Sequence, residues 1–192
     1  KINDKKEIEI SDLNIEDINK ISDIIRNSKI LILQLEIPIK VVEYAIDLAS
    51  RNEVFVILNA APASKIDDRV LSKVDCLVVN ETEASFYLGI EDGNFEFSEE
   101  DCKKLFSKIK KLLIITLGKK GSIIYDGEIM NKIESHKVDA IETTGAGDSF
   151  VGAFAYKLLN GSSYLEAAKF SSMVSALTVT KIGAQDAMPT YN

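Results

Sequence analysis

Four short apolar runs, separated by helical patterns, do most to limit what this chain can fold into. They cover residues 29–35 (with Ile30, Leu31, Ile32 and Leu33 consecutive), 54–58, 75–79 and 112–117. A continuous Val/Ile/Leu run of that length predicts a strand buried on both faces. After the first run, Val41, Val42, Ala45, Ile46 and Ala49 recur at helical spacing, and Pro38 suits the first turn of that helix. Before the last run, Ser98 and Asp101 form a cap pair for a helix over residues 98–109. Strands alternating with amphipathic helices predict an α/β fold: a mostly parallel sheet with helices on both faces, in three layers. The 192 residues have no linker or repeat, are 46% hydrophobic, and suit a single unit spanning 1–192.

Local signals fill in the remaining elements. Residues 7–10 alternate and predict a short strand. Asn14 caps a helix whose apolar face is Ile15, Ile18, Ile21 and Ile25. A short helix is expected over residues 67–71. Asn80 and Glu83 have capping-box spacing for a helix that runs to Leu88 and stops at Gly89. Residues 122–125 and 128–133 predict a hairpin turned by Asp126 and Gly127, and 138–141 one more short strand. Helices are expected from about 147 to 159, stopped by Asn160 and Gly161, and from about 164 to 180, with 181–185 as a closing loop.

Composition removes several classes of function. The formal charge is −7, and the one lysine cluster (Lys103, Lys104, Lys108, Lys110 and Lys111) fits the solvated face of a helix rather than a nucleic-acid surface. Cys76 falls in an apolar run and Cys102 in a polar helix, a pattern that points to neither a disulfide framework nor a metal site and suits a reducing cytoplasm. No stretch is long enough for a membrane helix, and the charged start has no signal-peptide core. The chain opens at Lys1 without a Met, so it is expected to be part of a longer protein.

In sheets of this kind ligands bind beyond the carboxyl ends of the strands. Glu36, Asn59, Asn80, Glu83, Thr116 and Gly118 each follow an apolar run. The stretch 142–150 then places Gly145, Gly147 and Asp148 directly before the apolar residues Phe150, Val151, Ala153 and Phe154. A glycine loop opening into a buried helix exposes unpaired N–H groups and the positive end of the helix dipole, which suits an anion. Taken alone, the same residues also fit a plain capped helix.

Four segments in order resemble the ribokinase/PfkB family of carbohydrate kinases. They are Gln34-Leu35-Glu36, Asn80-Glu81-Thr82-Glu83-Ala84, Thr116-Leu117-Gly118-Lys119-Lys120-Gly121 and Thr144-Gly145-Ala146-Gly147-Asp148-Ser149-Phe150. The resemblance implies a ribokinase-like fold without its first strands, its lid or its glycine-rich sugar motif. It also implies ATP-dependent phosphorylation of a sugar hydroxyl. Asp148 would be the base, and the N–H groups of Gly145, Ala146 and Gly147 the anion hole. Asn80 and Glu83 would help place Mg²⁺, Glu83 through water. Thr116, Gly118, Lys119, Lys120 and Gly121 would contact the nucleotide, with Ser172 beside the adenine. Glu36 would contact the sugar, which favours D-ribose and ribose 5-phosphate as product.

The resemblance further implies a monovalent cation, usually K⁺, near Glu142, Thr144, Thr178, Lys181 and Gly183. There the chain departs from the pattern: Glu142 stands where Asp is usual, Ala187 for a Ser ligand and Lys181 for Arg. His136, the only histidine, is expected on a solvent-facing strand edge outside the site. Fructose, 2-keto-3-deoxygluconate or a nucleoside remain alternative acceptors, and a regulatory or incompetent α/β fragment an alternative class. The partners implied are a small sugar and ATP, with neither nucleic acid nor membrane, and a homodimer at full length. The segment alone is expected to phosphorylate little.

Overall fold

The computed structural model describes residues 12–90 and 96–190. Its frame is a six-stranded sheet in sequential order: β1 (Ile30–Leu33), β2 (Phe55–Asn59), β3 (Cys76–Asn80), β4 (Leu112–Thr116), β5 (Ser122–Tyr125) and β6 (Met130–Ile133). The first four strands pair in parallel, and β5 and β6 add as an antiparallel hairpin. The helices are α1 (Ile15–Lys20), α2 (Ser22–Arg26), α3 (Ile39–Arg51), α4 (Asp68–Leu71), α5 (Glu81–Leu88), α6 (Glu99–Phe106), α7 (Ala146–Leu159) and α8 (Tyr164–Thr178). The strand expected at 7–10 lies outside the described residues.

Neighbouring parallel strands joined by right-handed crossovers place all their connecting helices on one face. The packing agrees, because strand side chains alternate between faces. Val56, Leu58, Leu77, Val79, Leu113 and Ile115 meet Val42, Ile46, Leu71, Ala84, Cys102 and Leu105 from α3 to α6. Ile57, Cys76, Val78, Leu112, Ile114 and Ile124 point the other way and meet Phe150, Val151, Phe154, Ala167 and Ala168 from α7 and α8. The three-layer architecture expected from the alternation is therefore present.

Three local expectations change. Strand β1 is not buried on both faces: Leu31 and Leu33 pack on the α3 side, but Ile32 on the opposite face is 43% exposed. It is the edge strand of the described sheet, beyond the reach of the α7–α8 layer except at Ile30. The helix capped by Asn14, which has its capping box with Asp17, breaks at Ile21. That break turns Ile25 into the core and leaves Ile21 exposed. Residues 138–141 form no strand. The Ile141 N–H instead donates to the Val179 carbonyl just past α8 (2.7 Å), so the backbone partner a strand would need lies off the sheet.

Four of the five clustered lysines pair with carboxylates, and Lys110 donates to the Ser50 hydroxyl (2.9 Å). Lys103 and Lys104 pair with Glu99 and Glu100, Lys108 with Asp68 and Lys111 with Asp75. Asp75 is itself buried at the amino end of β3, where its carboxylate accepts the Val56 N–H at 3.0 Å. Replacing it leaves that N–H without a partner inside the sheet. Asp75→Ala is expected to lower unfolding free energy by about 1–3 kcal/mol in urea titration; a loss indistinguishable from zero would remove the carboxylate from the structural account.

Candidate active site

The carboxyl ends of β1, β3 and β4 and the start of α7 converge on the same end of the sheet, as parallel strands require. At β4 the chain leaves Thr116 and makes a single 3₁₀ turn, Gly118–Lys120, before re-entering as β5. The turn closes on itself: the Leu117 N–H donates to the Gly121 carbonyl (2.8 Å) and the Gly121 N–H to the Gly118 carbonyl (3.0 Å). Gly121 has φ 98°, and a Cβ there would lie 1.9 Å from the Ile133 carbonyl oxygen on β6. No other residue fits this corner.

Helix α7 begins at Gly145, with φ 78° and no side-chain cap. Asp148, in its first turn, does not cap the helix; its Oδ1 accepts the Gln34 side-chain amide at 2.5 Å, joining the segment after β1 to the start of α7. First-turn N–H groups lack partners within a helix and point out along its axis. Among them Ala146 turns back onto the Thr143 carbonyl (3.2 Å), so Gly145 and Gly147 are the better placed of the three expected anion-hole donors.

Beside this helix start is a cavity of about 420 Å³. Thr116, Gly118, Lys119, Gly121, Ala146, Gly147 and Ser172 from the expected set all line it. So do residues that sequence reasoning missed: Ser122, Ser135, Lys137, Val138, Ala140, Thr143, Phe150, Ser175, Ala176 and Val179. His136 also lines it, exposed in the irregular segment after β6, which corrects the expectation of a strand-edge residue outside the site. Ser122 is buried, and its hydroxyl has no hydrogen-bond partner among the described residues. The cavity thus offers apolar walls (Phe150, Val138, Ala176, Val179), a buried hydroxyl needing a partner, and backbone N–H groups at one end. That combination fits a flat heteroaromatic group carrying an anionic tail.

Other expected site residues lie elsewhere. Lys120 points away from the cavity, with its ammonium 3.6 Å from Glu81. Asn80 and Glu83 form a reciprocal capping box at α5: the Asn80 N–H donates to Glu83 Oε2 (2.8 Å), and Asn80 Oδ1 accepts the Glu83 N–H (2.9 Å). Glu83 is buried, and that burial pushes its carboxyl above the usual carboxylate range against the opposing pull of the Asn80 donors. Neither residue lines the cavity. Glu36 is exposed, two residues beyond Gln34.

Glu142 accepts the Gly183 N–H at 2.9 Å, and with the Thr144 hydroxyl this holds its carboxyl below the usual range. The Thr178 carbonyl accepts the Lys181 N–H (3.2 Å), and Ala187 is buried. Among the described residues no cluster of three or more His, Cys, Asp or Glu side chains is placed to hold a metal ion. None of the described helices is long and apolar enough to cross a membrane.

The family model for pfkB family carbohydrate kinases matches residues 2–191. The chain belongs to this family. Among curated relatives, this pfkB-family chain is 38% identical over 175 residues to ribokinase of Staphylococcus aureus, covering 91% of the chain and 58% of that protein. It is 39% identical over 166 residues to ribokinase of Haemophilus influenzae, covering 86% and 54%. The solved Thermotoga maritima ribokinase superposes with a TM-score of 0.83 at 32% identity, over 94% of this chain and 59% of that one. Arabidopsis thaliana ribokinase, solved with ribose and ATP, gives a TM-score of 0.82 at 31% identity, over 89% and 56%. The pfkB-family chain thus spans a little over half the length of these relatives.

The corner at Gly121 and the burial of Glu83 each have a measurable consequence. Gly121→Ala should cost more than about 3 kcal/mol in urea unfolding, because the new methyl overlaps backbone. Gly118→Ala, at φ 52° with open space around it, should cost about 1 kcal/mol; equal losses would contradict the overlap. For Glu83, a raised folded pKa means stability that is full below the unfolded carboxyl value and lost as pH rises through the folded value. Glu83→Gln does not titrate, so its stability relative to the native protein should rise between pH 4 and 7 in paired urea titrations. A falling difference would reverse the assigned shift.

Proposed function

We propose that this chain is the nucleotide-binding and phosphoryl-transfer portion of an ATP-dependent sugar kinase whose acceptor is D-ribose. The observation that carries the proposal is the position of Asp148. It shares a helix start with Ala146 and Gly147 of the cavity wall, and its carboxylate touches the Gln34–Glu36 segment. The relatives named ribokinase, and the one solved with ribose and ATP, support the choice of acceptor and donor.

In this mechanism the cavity takes the base and sugar of ATP. The base lies against Phe150, Val179 and Ala176, with Ser122 and Ser172 offering hydroxyls. The phosphates run along the 118–121 turn, with Lys119 beside them, toward the start of α7. The acceptor hydroxyl lies between Glu36 and Asp148. Asp148 takes its proton as the oxygen bonds to the γ-phosphorus and the bond to the β-phosphate bridging oxygen breaks. The N–H groups of Gly145 and Gly147 and the helix dipole meet the charge that collects on the transferred group. These dipoles are already fixed by the fold, so little reorganisation opposes the step.

Magnesium is the divalent ion this chemistry calls for, and when bound it would neutralise charge on the phosphates. Glu83 fits a water-mediated role: among the described residues its carboxylate has no cationic side chain against it and accepts only from Asn80, which leaves acceptor capacity for a hydrated hard cation. The support for K⁺ is weaker, since the Glu142 carboxylate and the Thr178 carbonyl already accept from Gly183 and Lys181. No step here depends on it. The compartment that suits two buried free thiols, Cys76 and Cys102, is the reducing cytoplasm.

Calorimetry with ATP and Mg²⁺, together with ADP release measured across ribose, fructose, 2-keto-3-deoxygluconate and nucleosides in the protein at its natural length, tests the proposal. Ribose-dependent ADP release is expected. Asp148→Asn should lower turnover by about 10²- to 10⁴-fold while nucleotide affinity changes little. Release driven by another acceptor would overturn the ribose assignment, and a flat response to every acceptor would overturn the kinase assignment.

A further inference from the structure

We infer that Gln34 is a positioning residue for phosphoryl transfer: its side-chain amide fixes one oxygen of Asp148 and so aims the other at the acceptor hydroxyl. This role rests on the kinase reading of the site. The contact spans 114 residues of sequence and joins the segment after the edge strand to the start of α7, with Gln34 Nε2 donating to Asp148 Oδ1 at 2.5 Å.

The carboxylate needs such a partner. Asp148 is exposed, so packing does not choose its rotamer. No cationic side chain pairs with it within the described residues, and it makes no capping bond to its own helix. A base that turns freely spends part of its time out of reach, and reach of about 2.6–3.2 Å to the transferred proton is the first requirement of general base catalysis. The other end of the contact is rigid. Leu35, next in sequence, is buried, and its N–H donates to the Ala61 carbonyl at 2.8 Å, so the backbone that carries Gln34 is tied to the loop after β2.

The chemistry of an amide suits the task. Its N–H donates to Oδ1 and takes no proton from it, so Oδ2 keeps its lone pairs for the substrate. A lysine would bring a full charge beside the reacting atoms, and a glutamate would repel the carboxylate. Glu36, which would hold the sugar, lies two residues further along the same segment. One segment then both binds the acceptor and aims the base that deprotonates it.

The test compares Gln34→Met and Gln34→Glu with the native protein at its natural length, in ribose-dependent ADP release. Both variants keep side-chain length; the first removes the donor and the second replaces it with a like charge. A drop in kcat of about 10- to 100-fold is expected for both, with KM for ATP within twofold and thermal midpoints within a few degrees. Gln34→Asn, which keeps the amide one methylene short, should recover part of the loss. On an Asp148→Asn background, Gln34→Met should change the residual rate by less than twofold, because the group it aims is gone.

A kcat within threefold of native for Gln34→Met would overturn the inference. So would a loss that appears in the thermal midpoint and the nucleotide KM rather than in kcat, or equal effects of Gln34→Met with and without Asp148. Absence of turnover with every acceptor in the native protein would instead overturn the kinase reading, and this role with it.

Discussion

The site depends on a close approach between two loops at Gly145. A Cβ there would lie 3.2 Å from the Ala184 carbonyl oxygen, and the residue has φ 78°, so the backbone after α8 can press against the start of α7 only because position 145 is glycine. Hydrogen bonds close the rest of the seam. The Ile141 and Glu142 N–H groups donate to the Val179 carbonyl, the Gly183 N–H to the Glu142 carboxylate, and the Ser175 hydroxyl to the Ala146 carbonyl. The direction of the unpaired N–H groups of α7 is thus set by the last described turns of the chain as well as by packing on the sheet.

The seam would also let an acidic protein meet an anionic ligand. The net charge is −7, and Lys103, Lys104, Lys108 and Lys111 are paired to carboxylates. Lys119 reaches the cavity wall, while Lys120 faces Glu81. What remains is fixed dipole: N–H groups at a glycine-started helix and at a tight turn, which carry partial positive charge without an ion's desolvation cost. The arrangement favours a ligand whose charge must be met at one defined place.

Most of the frame was legible in the sequence because it is written in short-range patterns. The apolar runs gave the strands, the Asn80–Glu83 and Ser98–Asp101 spacings gave their capping boxes, and the Asp126-Gly127 pair gave the hairpin turn. The 142–150 stretch was legible for the same reason, since glycines and aspartate lie side by side. What could not be read depended on partners far away in sequence. Nothing near Gln34 indicates Asp148, and no spacing rule brings residues 135–140 back over the cavity. The Val138–Ile141 alternation has a strand's pattern, but its available backbone acceptor is at the end of a helix. For β1, apolar composition indicated burial, whereas coverage of Ile32 is decided by how far α7 and α8 extend across the sheet.

Sequential strand order has a consequence for how the molecule is made. Each of β2 to β6 docks against the strand just completed, so the sheet and its α3–α6 layer can be laid down as the chain emerges, with only short loops to close. Helices α7 and α8 come last, and they cover the opposite face and carry the glycine seam. A chain interrupted before residue 146 would keep much of one apolar layer while exposing Ile57, Val78, Leu112 and Ile114 on the other side. Assembly of the functional end therefore coincides with sealing of the second core, and a half-built molecule would be sticky before it could be active.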